Sequence, residues 1–406
     1  MISVEEAVER VRAHATPRPA GDVSLPGARG RVLGQDVACT MDSPPYDKSL
    51  VDGYAVRLAD MRAGVELEVL EQITAGEVPT QEVTPGTATQ IMTGAPLPPG
   101  ADAVVMVEYT ETWQVTGQRR RVRIQEHGFR AGQNIMRRGE SMRQGDSVLK
   151  AGYRLRGVDI GLLAELGLWE VRVHPAVRVA IVSTGNELVP CDREPAAGQI
   201  RNSNGPMLRE LVSESLGEPS DLGIARDNEQ ELEERIRAGL EYDVLLLSGG
   251  VSAGVLDLVP QVLARVGVRE VFHKVHLRPG KPIWFGVTTA QRGHERLVFG
   301  LPGNPVSSLV CFHLFVRPAI MTLGGQEWHR QGWFEAVLAH EHFHRSDRPT
   351  YHPGRAVRHD REWRVEPLRW RGSADLRTFA DANVLVYFPG EPRHWQAGEP
   401  VQAYWL

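Results

Sequence analysis

Cysteine is scarce in this sequence. The three cysteines, Cys39, Cys191 and Cys311, lie far apart and form no CxxC pair. This spacing argues against a disulfide framework and against a zinc site built on thiolates. No apolar run reads as long enough to cross a bilayer, and the acidic amino-terminal segment lacks the basic start and apolar core of a signal peptide. We therefore expect a cytoplasmic protein with no membrane partner.

A strong excess of one charge is also missing. The 46 Lys and Arg residues nearly balance 51 Asp and Glu, which leaves a net charge of −5. A chain of this charge has no general attraction to nucleic acid. The basic run at 119–123 lacks interleaved aromatic residues, so it is typical of a solvated hairpin rather than an RNA site. We expect no nucleic-acid partner.

Three common nucleotide and catalytic motifs are absent. The sequence has no Walker GxxxxGK[ST], no GxGxxG after a strand and no GxSxG elbow. Their absence argues against an ordinary NTPase, dehydrogenase or serine hydrolase. With 406 residues, of which 42% are hydrophobic, the chain is expected to form two to four soluble domains.

The stretch at 242–260, YDVLLLSGGVSAGVLDLVP, organises the rest of the sequence. Its continuously apolar part at 243–247 predicts a short strand buried on both faces of a parallel sheet. Ligands collect at the carboxyl ends of such strands, and glycines there let backbone N–H groups approach an anion. A tight turn without any ligand is, from this stretch alone, an equal alternative. The polar and glycine residues that follow the strand are Ser248, Gly249, Gly250, Ser252 and Asp257.

Three more loops that suit anions lie in the same segment, 176–325, where strands and helices alternate. The alternation predicts a parallel or mixed sheet with helices on both faces. Basic residues and a helix start suit a phosphate or another oxyanion, whereas carboxylates suit Mg²⁺, which also takes phosphate oxygens. The three loops carry Thr184, Gly185 and Glu187, then Lys274, Arg278 and Lys281, and finally Pro302 and Pro305, and a further turn of the segment carries Asp227.

Two other parts flank this segment. A capping box at Ser3 and Glu6 starts an amphipathic helix, and the region at 31–150 is strand-like, with long polar loops around Asp52 and Thr93. The end of the chain alternates like a small barrel. There, histidines at 340, 342 and 344 share one strand face; metal ligation is one interpretation, and an exposed or interface strand face is the other.

Six ordered motifs resemble one family across essentially the whole chain. They are typical of the molybdopterin molybdenumtransferases of the MoeA type, which are related to the E domain of gephyrin and its plant counterpart. The motifs are VDGYAV at 51–56, MTGAP at 92–96, STGNEL at 183–188, SGGVS at 248–252, RPGKP at 278–282 and LPGNPVS at 301–307.

The resemblance implies a multidomain α/β and β fold and a homodimer. It implies a helical part at 1–30 and 151–175, an inserted β-rich module at 31–150, a Rossmann-like mixed-sheet domain of the molybdenum cofactor-binding type at 176–325, and a carboxy-terminal β-barrel at 330–406. The implied reaction inserts molybdate into adenylylated molybdopterin with release of AMP. The adenylyltransferase of the same pathway is a further expected partner. A pterin-binding scaffold or protein-interaction module of the same fold is the alternative, although a scaffold has no need of the intact loop residues.

The site residues follow from the loops and the resemblance together. Ser373 and an arginine near Tyr351, either Arg348 or Arg355, are implied to hold molybdate. Two departures from the family pattern are Arg278, where lysine is usual, and Val255 with Leu256 before Asp257. We expect catalytic roles for Asp52, Glu187, Asp227, Asp257, Lys274, Arg278 and Lys281, with Glu187, Asp227 and Asp257 on Mg²⁺. We expect substrate binding by Thr93, Thr184, Gly185, Ser248, Gly249, Gly250, Ser252, Pro302, Pro305 and Ser373.

Asp52 belongs to the inserted module, whereas the other acids belong to the α/β domain. An extended module cannot easily fold back onto its own sheet's edge, but a two-fold partner could bring the loop there. We therefore expect Asp52 to act across a dimer interface.

Overall fold

The computed structural model describes residues 1–62, 64–114, 116–117, 119–125, 128–250, 258–289, 295–327 and 332–406. The chain forms two compact units. The larger unit comprises Met1–Gln35, Ala151–Ile160 and Glu170–Leu406, and the smaller unit comprises Asp36–Lys150 and Gly161–Trp169.

A six-stranded mixed sheet forms the centre of the larger unit. Its first four strands are parallel, the fifth runs antiparallel to them, and the sixth pairs antiparallel with the fifth. The parallel strands therefore end at one edge, as the alternating sequence pattern predicts. In sheet order the strands are Gly217–Ala225, Val177–Thr184, Val244–Ser248, Glu295–Leu301, Trp284–Thr289 and Arg269–His273.

The strand Val244–Ser248 is buried along its whole length. Val244 and Leu246 belong to the hydrophobic core on one face of the sheet, and Leu245 and Leu247 belong to the core on the other. Successive strand residues point to opposite faces, so an apolar run without alternation fits a sheet covered on both sides. Each buried leucine contributes about 2 kcal/mol of transfer free energy.

Helices cover both faces of this sheet. The amino-terminal helix Val4–His14 begins where the Ser3 hydroxyl accepts a hydrogen bond from the Glu6 backbone N–H at 3.1 Å. Its residues Ala7 and Val11 are fully buried in the sheet's core, so the predicted apolar face packs against the α/β domain. The other helices are Leu25–Ala28, Gly157–Glu165, Asn204–Glu214, Glu229–Gly239, Val259–Arg265 and Leu376–Phe379.

One continuous helical segment, Pro305–Leu323, is long and apolar enough to cross a membrane by length and composition. The prediction that no apolar run is long enough to cross a bilayer was therefore wrong. The structure buries 83% of the segment's most apolar window, as expected for a core helix. Its parts are the α-helix Pro305–Cys311, the π-helix Phe312–Val316 and the α-helix Arg317–Leu323.

A closed five-stranded barrel follows in the same unit, which confirms the predicted carboxy-terminal barrel. Small two-stranded sheets pair Gly21–Ser24 with Glu170–Val173, Leu188–Val189 with Ile200–Arg201, and His342–His344 with Arg393–Trp395. In barrel order the strands are Trp333–Leu338, Glu362–Pro367, Thr350–His359, Val384–Phe388 and Pro400–Trp405.

The smaller unit contains a second six-stranded sheet. Its predicted alternating strands are present, and buried residues such as Leu67 and Val69 alternate with exposed ones. Short pairs join Val37–Ala38 to Ser147–Leu149 and Lys48–Ser49 to Ile135–Met136, and short 3-10 helices span Leu58–Asp60 and Val107–Tyr109. In sheet order the strands are Ala103–Met106, Gly53–Val56, Thr87–Ile91, Glu66–Ile73, Arg121–Ile124 and Thr110–Trp113.

Candidate functional site

A cavity of about 960 Å³ opens at the carboxyl ends of the parallel strands in the larger unit. Its walls come from the loops that follow three of those strands, from the 278–282 loop and from the 370–374 loop of the barrel segment. Eight residues predicted from the sequence line it: Thr184, Glu187, Ser248, Arg278, Lys281, Pro302, Pro305 and Ser373.

Asn204 ties two of these loops together. Its Nδ2 donates to the Ser248 hydroxyl at 2.8 Å and to the Gly303 carbonyl at 2.8 Å. Because a carbonyl can only accept, the Gly303 contact fixes which way the amide points. Next to it, Asn202 donates to the Ser183 hydroxyl at 2.9 Å. The strand ends are thus held in register by buried side-chain amides.

Gly249 lets two strand ends approach closely. Its φ is +102°, and a Cβ there would lie 2.5 Å from the Thr184 carbonyl oxygen. Its N–H donates to the Leu301 carbonyl at 3.0 Å, so this amide is used within the protein. Gly250 follows with a φ of +64°. Both glycines were predicted to allow close backbone approach, and here the group that approaches is the Thr184 strand.

The cavity lining is rich in positive charge. Among the described residues, four basic side chains line it, those of Arg201, Arg278, Lys281 and Arg348, and Glu187 is the single acid. At an effective dielectric of 20, two opposite charges 4 Å apart attract by about 4 kcal/mol. This balance favours an anionic ligand with several negative oxygens.

The 278 loop is tied to the barrel segment through backbone hydrogen bonds. The Arg278 N–H donates to the Pro349 carbonyl at 2.8 Å, and its carbonyl accepts from the Tyr351 N–H at 2.9 Å. Arg348 donates to the Leu277 carbonyl at 3.2 Å. Of the two arginines that the resemblance left open, Arg348 lines the cavity, while Arg355 is exposed and contacts the Asp381 carbonyl.

The helix start at Pro305 is partly occupied by the protein itself. The Val306 N–H donates to the Ser373 carbonyl at 3.1 Å, and Asn304 donates to the Ser373 hydroxyl at 2.9 Å. One of the N–H groups expected to be free for an anion is therefore satisfied. These bonds instead place the Ser373 side chain beside the helix start and at the cavity wall.

Three further predicted residues of the larger unit, Gly185, Asp227 and Lys274, do not line the cavity. Asp227 accepts a hydrogen bond from the Asn186 N–H at 3.2 Å, next to Glu187. Gly185 lies under the Glu187 carboxylate, since a Cβ there would be 2.6 Å from it. Lys274 shares the 274–283 loop with Lys281. Ser252 and Asp257, like Val255 and Leu256, lie outside the described residues.

Asp52 and Thr93 meet in the smaller unit. The Asp52 Oδ1 accepts hydrogen bonds from the Thr93 hydroxyl and from the Thr93 N–H, both at 2.7 Å. These two bonds, the hydroxyl first, hold the pKa of Asp52 below its usual value. Two loops singled out separately in the sequence therefore form one ionised, exposed carboxylate.

The described residues contain no group of three His, Cys, Asp or Glu side chains arranged to hold a metal ion. The barrel histidines are explained by packing: His342 stacks on Phe388 with ring centroids 4.4 Å apart, and His344 stacks on the same ring at 5.6 Å. Burial lowers the pKa of both histidines. They are neutral, aromatic neighbours of the cavity wall.

A second cavity of about 470 Å³ lies between the amino-terminal helix, the 305–323 segment and the barrel. Its lining includes aromatic residues such as Trp333, Tyr387 and His313, and it carries glutamates as well as arginines. It lacks the glycine loops and the surplus of positive charge that mark the first cavity.

Several polar or aromatic residues of the first cavity, among them the four named next, were not predicted from the sequence. Arg201, Asn202 and Trp370 carried no motif, and Asn204 was noted only as a helix start. The buried side-chain amides could have been suspected from Asn-Ser-Asn at a predicted helix start, because asparagine is favoured there for capping. Trp370 gave no local signal.

Family models match most of the chain. The MoeA N-terminal region (domain I and II) matches residues 2–167, a "Probable molybdopterin binding domain" matches 180–322, and the MoeA C-terminal region (domain IV) matches 335–406. Curated molybdopterin molybdenumtransferases are similar over nearly their whole length. The protein of Staphylococcus aureus is 34% identical over 98% of this chain and 94% of its own, and that of Staphylococcus epidermidis is 33% identical over the same shares.

Solved structures are similar to this chain over its whole length. Two structures of the molybdopterin biosynthesis MoeA protein from Pyrococcus horikoshii have TM-scores of 0.80 and 0.78, with 32% and 29% identity. Each covers 100% of this chain and at least 99% of its own. The chain belongs to the MoeA family of molybdopterin molybdenumtransferases.

Proposed function

We propose that this chain inserts molybdate into adenylylated molybdopterin and releases AMP, and that the 960 Å³ cavity is where it does so. The observation that carries the proposal is the cavity's lining: Arg278, Lys281 and Arg348 lie at a glycine-rich set of strand ends where Glu187 is the one acid among the described residues. The adenylylated pterin carries a pyrophosphate, and molybdate is a second, tetrahedral oxyanion. Binding both together requires this surplus of positive charge.

The residues divide by chemistry. The guanidinium and ammonium groups of Arg278, Lys281 and Arg348 bind oxyanion oxygens and offset the charge that develops as AMP leaves. The hydroxyl groups of Ser248, Ser373 and Thr184 orient the phosphates by hydrogen bonds. Gly185, Gly249, Gly250, Pro302 and Pro305 shape the strand-end loops, and Lys274 adds charge from the same loop as Lys281.

Mg²⁺ is a further proposal. Glu187 and Asp227 lie on adjacent loops joined through Asn186, and Mg²⁺ typically takes one or two carboxylates and completes its shell with phosphate oxygens and water. Their chemistry fits this ion, with Asp257 as the third expected ligand. The ion would neutralise the substrate's pyrophosphate.

The test follows AMP released from adenylylated molybdopterin by the purified protein. Release requires both molybdate and Mg²⁺ if the proposal is right. Lys281→Ala should raise the molybdate concentration needed about tenfold or more, because a hydrogen bond to a charged group is worth about 1.5–3 kcal/mol. Lys150→Ala is the matched control: Lys150 pairs with Asp36 at 2.8 Å in the smaller unit and should behave as wild type. AMP release that does not depend on molybdate would exclude the transferase, and no AMP release under any condition would favour the non-catalytic scaffold.

We also propose that the protein is a cytoplasmic homodimer in which Asp52, paired with Thr93, serves the site of the partner chain. Mixing Asp52→Ala with Lys281→Ala subunits tests this. With shared sites, each heterodimer regains one intact site, so a random mixture recovers about a quarter of the wild-type rate. Verified heterodimers without activity would show that Asp52 is not shared.

A further inference from the structure

Arg278 faces the cavity with its guanidinium group uncommitted to any acid. Within the described ranges it forms no ion pair and no side-chain hydrogen bond. Its defined side-chain neighbour is an aromatic ring: the Arg278 Cζ lies 5.9 Å from the Trp370 ring centroid, over the indole face. A guanidinium over tryptophan is attracted by the ring's negative face, and tryptophan is the best such partner.

Both ends of this pair are held in place. The Arg278 backbone is fixed by the hydrogen bonds to Pro349 and Tyr351, 2.8 and 2.9 Å long. Trp370 meets the His352 ring edge to face, with centroids 5.4 Å apart and planes at 83°. The indole therefore also contacts a second ring.

His352 is itself anchored and uncharged. Its Nδ1 lies 2.9 Å from the Pro353 carbonyl, and since a carbonyl only accepts, Nδ1 carries the hydrogen. Burial lowers the pKa of His352 to about 4. At neutral pH the ring that contacts Trp370 therefore carries no charge that would repel the Arg278 guanidinium.

We propose that Trp370 is a positioning residue: it holds the Arg278 guanidinium flat, so that the N–H edge of this fork points into the cavity and strengthens binding of a tetrahedral oxyanion. The inference rests on the proposed function and adds a residue to it. A free arginine loses side-chain entropy when it is fixed by a ligand, and an arginine already ordered on a ring loses less. This gives Arg278 a supporting partner at the position where the family usually has lysine.

The experiment measures molybdate binding to the full-length protein by titration calorimetry. Trp370→Leu should weaken binding about fivefold, the ratio that corresponds to about 1 kcal/mol. Trp370→Phe, which retains an aromatic face, should lose about twofold. In an Arg278→Gln background both changes should have no further effect, because the group they position is gone.

Trp113→Leu is the matched control. The Arg123 Cζ lies 5.1 Å from the Trp113 ring centroid in the smaller unit. The substitution therefore removes the same kind of cation–π pair away from the cavity and should leave molybdate binding unchanged. Equal binding by wild type and Trp370→Leu would overturn the inference, as would an equal loss in the Arg278→Gln background. If Trp370→Leu does not fold, Trp370→Phe in both backgrounds decides by the same criteria. A wild-type protein that binds no molybdate would overturn the proposed function itself.

Discussion

His313 and His352 are two titratable side chains that the larger unit keeps neutral. Burial lowers the pKa of His313 to about 3, with help from the nearby Arg317, and that of His352 to about 4. In the unfolded chain a histidine takes up its proton near pH 6.5. Between pH 6.5 and about 4 the unfolded state therefore binds more protons than the folded state, and stability rises with pH across that window.

We predict that thermal stability falls as the pH is lowered from 7.5 to 5. Each of these histidines contributes at most about 2 kcal/mol to the loss at pH 5. His313→Leu should flatten the dependence, since one titrating group is removed. His340→Leu, at an exposed position, should leave the dependence as it is. The melting temperature of the three proteins at both pH values is the measurement, and an unchanged slope in His313→Leu would contradict the assignment.

At the scale of single residues, the sequence predicted which side chains are functional better than which side chains contact each other. Asp52 and Thr93 were both singled out, but nothing local says that two loops 41 positions apart form one pair. Asn204 and Trp370 act through contacts with Ser248 and Arg278, which are distant in sequence. Such contacts depend on the folded topology, and local patterns do not encode it.

At the scale of elements, the turn after Val244–Ser248 gives a sharp prediction. Gly249→Ala places a Cβ 2.5 Å from the Thr184 carbonyl oxygen at a φ of +102°, so the turn must shift. We expect a loss of about 1–3 kcal/mol in stability and weaker molybdate binding. Gly161→Ala, where nothing lies within 4 Å of the added Cβ, should be neutral or slightly stabilising. Thermal melting and molybdate titration of both variants test this, and a harmless Gly249→Ala would contradict the close approach.

The prediction of strands and helices succeeded where the hydrophobic pattern was clear and failed where polar residues or prolines interrupted that pattern. The apolar run at 243–247 forms the strand Val244–Ser248, one residue later than predicted, and the capped helix starts after Ser3. The 305–323 segment was missed as one long apolar helix because Arg317 and Pro318 interrupt the run in the sequence. In the structure the π-helical turn Phe312–Val316 carries the helix through to Leu323.

At the scale of the whole molecule, the fold class was predictable and the strand order was not. Alternation along the chain predicts a mixed sheet, yet the observed order places Glu295–Leu301 beside Val244–Ser248 and puts two antiparallel strands at one edge. That order is set by long-range packing on both faces of the sheet. The four-part division of the chain and the dimer stay predictions.

The most direct test of the central claim is a crystal grown with molybdate, measured at the molybdenum absorption edge. We predict that the strongest anomalous peak lies in the 960 Å³ cavity, within hydrogen-bonding reach of Arg278 and Lys281 and beside Ser373. An empty cavity with the strongest peak elsewhere, such as the aromatic cavity beside His313 and Trp333, would contradict this account.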